Sequence, residues 1–400
     1  MHAVRVLRNC LGVVLGRMHA LRCATLLDAV RALIAGRRLT LMELARSWPE
    51  ALRVAAPLKR LDRLLGNQHL VEERDGLYAA IINWAVRQPR PVIVVDWSPL
   101  DRRGRFQLLR AGLAVGGRTL TVYEQVYPAK SVGSPRAERA LLQALKQAIP
   151  VGCVPILVTD AGFRAPWFRA VRRLGWDWIG RVRGRALVKP QAAENTFDRW
   201  IPCTQLYRRA REAARDLGLW DTVRLKSIVC RLVLYYKAPR GRIDTTLAGQ
   251  RARNKYSRKI AQRESEPWLL AVSPRLDLTP AQVVAIYARR MQIEQSFRDL
   301  KSHRYGVGFE DSLTRTRDRL AALLLILALA SFVAWITART ATGNVLRQAA
   351  ATLVRSTQAG ALSWHRLGWQ LLREQRWRID IHINVATILF DGDALAMAGG

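Results

Sequence analysis

The sequence predicts an α/β protein: a mixed-sheet core with a β-rich insertion, plus helical N-terminal and C-terminal regions. Three observations carry this. Short β-branched runs, Val92-Ile93-Val94-Val95 and Val154-Pro155-Ile156-Leu157-Val158, have the length and continuity of buried strands. Helical patterns alternate with them and flank them. A chain of 400 residues, 50% of them hydrophobic, is too long for one ordinary core and suggests two or three domains.

Residues 1–88 read as short helices forming a helical first domain. Leu39 to Ala45 is one, with Thr40 as a plausible N-cap, and Leu58 to Asn67 is an amphipathic turn of helix closed by Gly66-Asn67. From Pro91 the pattern turns to strands. Pro91 to Trp97 is the first, Phe106 to Val115 and Thr119 to Tyr127 the next two, joined at Gly116-Gly117. Ser134 opens a helix that ends near Pro150. Val154 to Asp160 is a fourth strand, Phe163 to Leu174 a helix and Trp176 to Val182 a fifth strand. Three strands, a helix, a strand, a helix and a strand is the order expected of an RNase-H-like mixed sheet, here spanning 89–345. A β-rich insertion at about 190–275 interrupts it, with Ile228 to Lys237 and Trp268 to Ser273 its clearest strands. Within the insertion, 239–262 is polar and basic, and disorder is the default expectation. Thr279-Pro280-Ala281-Gln282 offers an N-cap, a proline at the first helical position and a capping-box glutamine, opening a helix expected to reach Lys301. Residues 346–400 read as helices with a final Val385 to Phe390 segment, a region that can pack on the core or pair protomers.

Charge narrows the partners. Lys+Arg number 65 against 31 Asp+Glu, a formal net charge of +34. Such a chain is drawn to polyanions, either nucleic acid or an anionic membrane surface. Lys59, Arg60 and Arg63 sit opposite the leucines of their helix, which fits a DNA-reading module; a solvated helix face is the alternative. The five cysteines are scattered with no C-x-x-C pair, and the six histidines show no zinc spacing, so reduced thiols in a cytosolic protein are expected. Arg5 and Arg8 precede a short apolar run, but Arg17, His19 and Arg22 interrupt it too soon for a signal peptide. Leu320 to Ile336 is an uncharged run of about 17 residues, at the lower edge of membrane-spanning length. With Ser331, several alanines and no second such run, a buried core helix is the expected reading.

The chemistry lies in acids at distant positions. Asp96 is expected to end the first strand and Asp160 the fourth; strand ends near a change of strand order are a recurring site in α/β sheets. A third acid, Glu294, lies on the long helix. Tyr287, Arg290, Glu294 and Lys301 fall within roughly 60° of one another on an unbroken α-helix. Alone, that stripe also suits a solvated, salt-bridged face.

The spacing Tyr-x2-Arg-x3-Glu-x6-Lys, met by Tyr287, Arg290, Glu294 and Lys301, resembles the signature of the insertion-sequence-four family of DDE transposases. Val95-Asp96-Trp97-Ser98 resembles that family's first-aspartate motif and Thr159-Asp160-Ala161-Gly162-Phe163 its second. Alanine at 161, with Lys59 to Leu70 and Trp176 to Gly184, looks like the Tn-ten transposase branch. The resemblance implies an RNase-H-like catalytic core and a triad of Asp96, Asp160 and Glu294. These would hold two Mg²⁺ ions, with Mn²⁺ as a substitute, since hard oxygen donors select hard cations. It implies cut-and-paste transposition with end cleavage, a hairpin intermediate and strand transfer. Tyr287, Arg290 and Lys301 would contact terminal phosphates, and Trp268 would stack on a base flipped from the end; a core tryptophan is the alternative for Trp268. Trp97 and Met291 adjoin motif positions; core packing is expected for each, with contact to the distorted end as the alternative. The implied partners are double-stranded DNA, as terminal inverted repeats and target, and a second protomer in a homodimeric synaptic complex. The implied location is bacterial cytoplasm, at the nucleoid and not in a membrane. Two alternatives stay open: another RNase-H-like nuclease such as a junction resolvase, and a non-catalytic DNA-binding relative.

Overall fold

A computed structural model describes residues 2–101, 103–191, 199–238, 265–304, 306–341, 343–353 and 362–374. The chain opens with five helices: α1 (His2–Gly16), α2 (Ala20–Gly36), α3 (Leu41–Arg46), α4 (Ala55–Leu65) and α5 (Gln68–Ala85). Then come β1 (Val92–Pro99), β2 (Phe106–Ala114), β3 (Thr119–Pro128), α6 (Pro135–Ala148), β4 (Ile156–Thr159), α7 (Ala165–Arg173) and β5 (Asp177–Val182). Next are β6 (Leu187–Pro190), β7 (Ile201–Pro202), β8 (Arg215–Thr222), β9 (Ile228–Tyr235) and β10 (Trp268–Val272). The last helices are α8 (Pro280–Ala288), α9 (Met291–Lys301), α10 (Arg317–Thr340), α11 (Gly343–Leu353) and α12 (Trp364–Glu374). The architecture is mixed α/β, as the sequence predicts. The described residues fall into two units, one up to Pro155 and again from Arg289, the other Ile156–Ala288.

In the first unit β1, β2 and β3 form an antiparallel meander. Gly116 and Gly117 turn the β2–β3 corner with φ of 91° and 73°, a region open to glycine but strained for other residues. On this meander α9 lays the buried side chains of Ile293, Phe297 and Leu300. The helical part is organised around α10. Its composition and length would suffice to cross a membrane, yet 94% of its most apolar window is buried, against α1, α2, α4, α5, α12 and β3. Trp84 of α5 meets Phe332 and Trp335 edge-on, with ring centroids 5.7 and 6.5 Å apart. Where α12 crosses α10, a Cβ at Gly368 would lie 1.7 Å from the Ala334 carbonyl oxygen, so only glycine permits that approach. The Thr40 cap forms as expected, its Oγ1 accepting from the Glu43 amide at 3.2 Å.

In the second unit β4 and β5 pair in parallel, with α7 between them in sequence. The order continues antiparallel as β5-β10-β9-β8-β6-β7. Leu232 and Leu234 of β9, Leu269 and Ala271 of β10 and Trp220 of β8 share its apolar core. The capping box closes reciprocally at α8: Gln282 N–H donates to Thr279 Oγ1 at 3.3 Å, and Thr279 N–H to Gln282 Oε1 at 2.9 Å.

Two expectations about the secondary-structure elements need correction. The helix opened at Thr279 does not run unbroken to Lys301: α8 ends at Ala288 and α9 starts at Met291. At the junction Gln292 N–H donates to Arg289 O and Ile293 N–H to Arg290 O, a tighter pattern that resets the helix. The stripe expected from an unbroken helix is therefore split, with Tyr287 before the break and Glu294 and Lys301 after it. Tertiary anchors on either side, described below, override a local sequence with no glycine or proline. Second, Asp96 lies within β1 and not at its end, because pairing continues through Pro99↔Gln107. The basic stretch 239–262 and the Val385 to Phe390 segment lie outside the described residues.

Candidate active site

The first unit brings two of the three acids to one cation. Asp96 Oδ1 accepts from the Trp97 amide at 2.8 Å, and its Oδ2 lies 3.9 Å from Nη1 of Arg290. The same Nη1 is 2.5 Å from Glu294 Oε1, one helical turn on. Aspartate from β1 and glutamate from α9 thus share a guanidinium nitrogen, with side chains 15% and 40% exposed. Oxygen donors facing a common cationic group are the donor chemistry a Mg²⁺-class ion requires.

Several contacts fix α9, and with it Glu294. Arg118 pairs with Asp299 at 2.5 Å, and the Thr119 amide donates to Ser296 Oγ at 2.9 Å. Beneath, Arg110 and Glu124 face each other across β2 and β3 as a buried ion pair at 2.6 Å. Tyr78 OH donates to the same glutamate at 2.9 Å, and the Arg110 guanidinium lies 5.2 Å from the Phe297 ring centre. Lys301, at the end of α9, donates to buried Ser98 Oγ at 2.8 Å. Burial pulls its ammonium below the ordinary lysine range, Arg110 adds to this, and Glu310 and Asp96 oppose it. Trp97 packs on Tyr127, with centroids 5.5 Å apart. Met291, expected in the core, is instead 44% exposed: it is the first residue of α9, outside the buried Ile293/Phe297/Leu300 face.

The second unit holds Asp160 and the aromatic residues. Asp160 follows the last residue of β4, and its Oδ1 accepts from the Gly162 amide at 2.8 Å. A Cβ at Gly162 would stand 3.0 Å from that oxygen, so glycine lets the amide close on the carboxylate. Phe163 is buried against Trp167, centroids 4.9 Å apart, and anchors the turn. Trp268, half-buried at the start of β10, meets Tyr287 edge-on at 4.9 Å and Tyr235 at 5.8 Å. Lys237 Nζ lies 5.5 Å from its ring centre. Tyr287 is 3% exposed. Arg181 donates to the carbonyls of Glu266 and Pro267, and burial lowers its pKa.

On α4, Lys59, Arg60 and Arg63 are exposed, opposite buried Leu61, Leu64 and Leu65. Among the described residues no group of three or more His, Cys, Asp or Glu side chains is gathered closely enough to hold a metal ion. Two carboxylates brought to one nitrogen repel unless positive charge lies beside them, and Arg290 supplies that charge.

The Transposase DDE domain family model matches residues 87–333. The chain belongs to this family. No curated protein matches it. As a DDE transposase it is a nuclease and strand transferase acting on DNA, of a class that generally uses divalent metals such as Mg²⁺. Asp96, Asp160, Trp268, Tyr287, Arg290, Glu294 and Lys301 all fall inside the matched span; Lys59, Arg60 and Arg63 precede it.

Sequence reasoning missed three features of the transposase: the Ser98–Lys301 bond, the Lys237–Trp268 contact and the Tyr78/Arg110/Glu124 network. The Arg290–Glu294 pair, by contrast, had a local signal, its i,i+4 spacing. The three missed features join positions far apart in sequence.

Proposed function

We propose that this transposase performs cut-and-paste transposition of an insertion sequence through end cleavage, a hairpin intermediate and strand transfer. Asp96, Asp160 and Glu294 are its catalytic acids, on an RNase-H-like core of the insertion-sequence-four type nearest the Tn-ten branch. The observation that carries this reading is the sharing of one cationic nitrogen by Asp96 and Glu294 within the matched domain. Asp160, braced by the Gly162 amide, supplies the third carboxylate.

These acids would hold two Mg²⁺ ions, or Mn²⁺ in their place, which activate the attacking oxygen and stabilise the leaving one. The chain's own groups do the rest. Arg290 clamps a terminal phosphate bidentately, Lys301 acts on it as a point charge and Tyr287 through its hydroxyl. Trp268, with its half-buried ring, offers a face to a base unstacked at the end and so offsets part of the cost of a tight hairpin. Nicking by water and attack by a DNA 3′-hydroxyl use the same acids, so no covalent protein–DNA intermediate forms. The helical segment 1–88 reads DNA through Lys59, Arg60 and Arg63, and residues 346–400 support pairing of protomers. Two ends need two sites, hence a homodimer on the terminal inverted repeats. The enzyme works in the bacterial cytoplasm, on the nucleoid.

Incubation of an end-bearing duplex with Mg²⁺ tests this. A 3′-nicked strand should appear first and a hairpin product second, both absent with Asp160→Ala. A resolvase-like product, symmetric nicks at a four-way junction with no hairpin, would reject the reading.

A further inference from the structure

We infer that Arg290 is the resident counter-cation of the Asp96–Glu294 pair, and that a divalent ion must expel it before the site can work. The inference rests on the proposed reading of these acids as metal ligands, and adds how loading is controlled. The contacts converge on one atom: Nη1 of Arg290 is 2.5 Å from Glu294 Oε1 and 3.9 Å from Asp96 Oδ2. The arginine and Asp96 side chains are 17% and 15% exposed, so that contact is screened less than a surface pair, while Glu294, 40% exposed, is partly open to solvent. Mg²⁺ sits about 2.0–2.1 Å from its oxygen ligands, far closer than a guanidinium nitrogen can stand. Dication and guanidinium cannot both occupy the volume between these two carboxylates, so they compete.

Position in the chain allows the exchange. Arg290 lies in the turn between α8 and α9, immediately before the first helical residue, Met291. Its side chain can swing out by rotation about its own bonds, while α9 stays fixed by Arg118–Asp299, Thr119–Ser296 and its buried apolar face. Lys301, the other cation of the motif, differs: it donates to the neutral Ser98 hydroxyl and feels Asp96 through its charge, whereas Arg290 pairs with both acids. Expelled from the pair, the Arg290 guanidinium becomes available to phosphate. Metal uptake and grip on the DNA end are then coupled, and by linkage each strengthens the other.

The test is Mn²⁺ binding to the full chain without DNA, followed by the paramagnetic resonance of free Mn²⁺, for native protein, Arg290→Gln and Arg290→Lys. Arg290→Gln removes the competitor and should bind Mn²⁺ about three- to tenfold more tightly, with Arg290→Lys between it and the native chain. Thermal unfolding should show the matching signature: Arg290→Gln melts lower than native without metal and gains more from added Mn²⁺. Asp96→Asn in the Arg290→Gln background should abolish the added affinity. Unchanged or weaker Mn²⁺ binding by Arg290→Gln, with binding still sensitive to Asp96→Asn, overturns the inference alone. Binding indifferent to Asp96→Asn in every background overturns both it and the proposed active site.

Discussion

Around Glu294, residues are placed by charge. Arg290 spans Asp96 and Glu294, Arg118 ties α9 through Asp299, and Arg110 is buried against Glu124. Around Trp268, residues are placed by aromatic packing: the indole lies edge-on between Tyr235 and Tyr287, with Lys237 near its ring. The difference fits the two tasks proposed. Charged groups act over distance and can exchange one partner for another, so they suit a site that takes up cations and phosphate. Aromatic faces are indifferent to sequence and tolerate movement, so they suit holding an unstacked base.

Mutation should separate these two regions. The largest effect is expected where charge meets chemistry: Asp96→Ala, Asp160→Ala and Glu294→Ala should each reduce strand cleavage on the order of 10³-fold or more, measured in single turnover with saturating DNA. Full activity in any one of them would remove that acid from the site. Next is the buried pair beneath. Arg110→Ala removes the buried ion-pair partner of Glu124, leaving it Arg74 nearby and the Tyr78 hydroxyl, and should cost about 3 kcal/mol in urea unfolding. The double variant Arg110→Met/Glu124→Leu should recover most of that; failure to recover would show that Tyr78 and Phe297 contribute more than the charge does.

On the aromatic side, Trp268→Ala should slow hairpin formation by about 10- to 100-fold, corresponding to the loss of one base–aromatic stack, while the first nick is little changed. Equal loss at both steps would make the residue structural and erase the contrast. The smallest effect belongs to α4. Replacing Lys59, Arg60 and Arg63 together by alanine should leave cleavage at saturation intact and weaken end binding. The slope of log K against log salt should flatten by roughly 0.9 for each phosphate that the protein no longer neutralises. An unaltered slope would make that face merely solvated.

How legible each region was in sequence follows the same division. Local rules found the local features: Thr40 caps α3, Thr279 and Gln282 form the capping box, Gly116-Gly117 turns β2 into β3, and the apolar Leu320 to Ile336 run is buried in α10. Long-range partners were invisible. Nothing near Arg110 announces Glu124, which meets it only through antiparallel register. The break after Ala288 was missed because Arg289 and Arg290 are acceptable helix formers, and tertiary anchors decided the outcome. Met291 was misjudged for the same reason: once the helix restarts, its position falls off the buried face. Of the candidate site, the motif residues were legible one by one, while the sharing of Arg290 by two acids needed coordinates.

In the proposed active site Asp96, Asp160 and Glu294 serve the same metal ions. Loading the DNA-bound transposase with Fe²⁺ in place of Mg²⁺ and generating hydroxyl radicals with ascorbate and peroxide tests it most directly, because backbone scission reports proximity to the iron. Fragments ending near positions 96, 160 and 294 should appear together, all lost in Asp96→Asn. Scission near 96 and 294 with none near 160 would contradict a shared site.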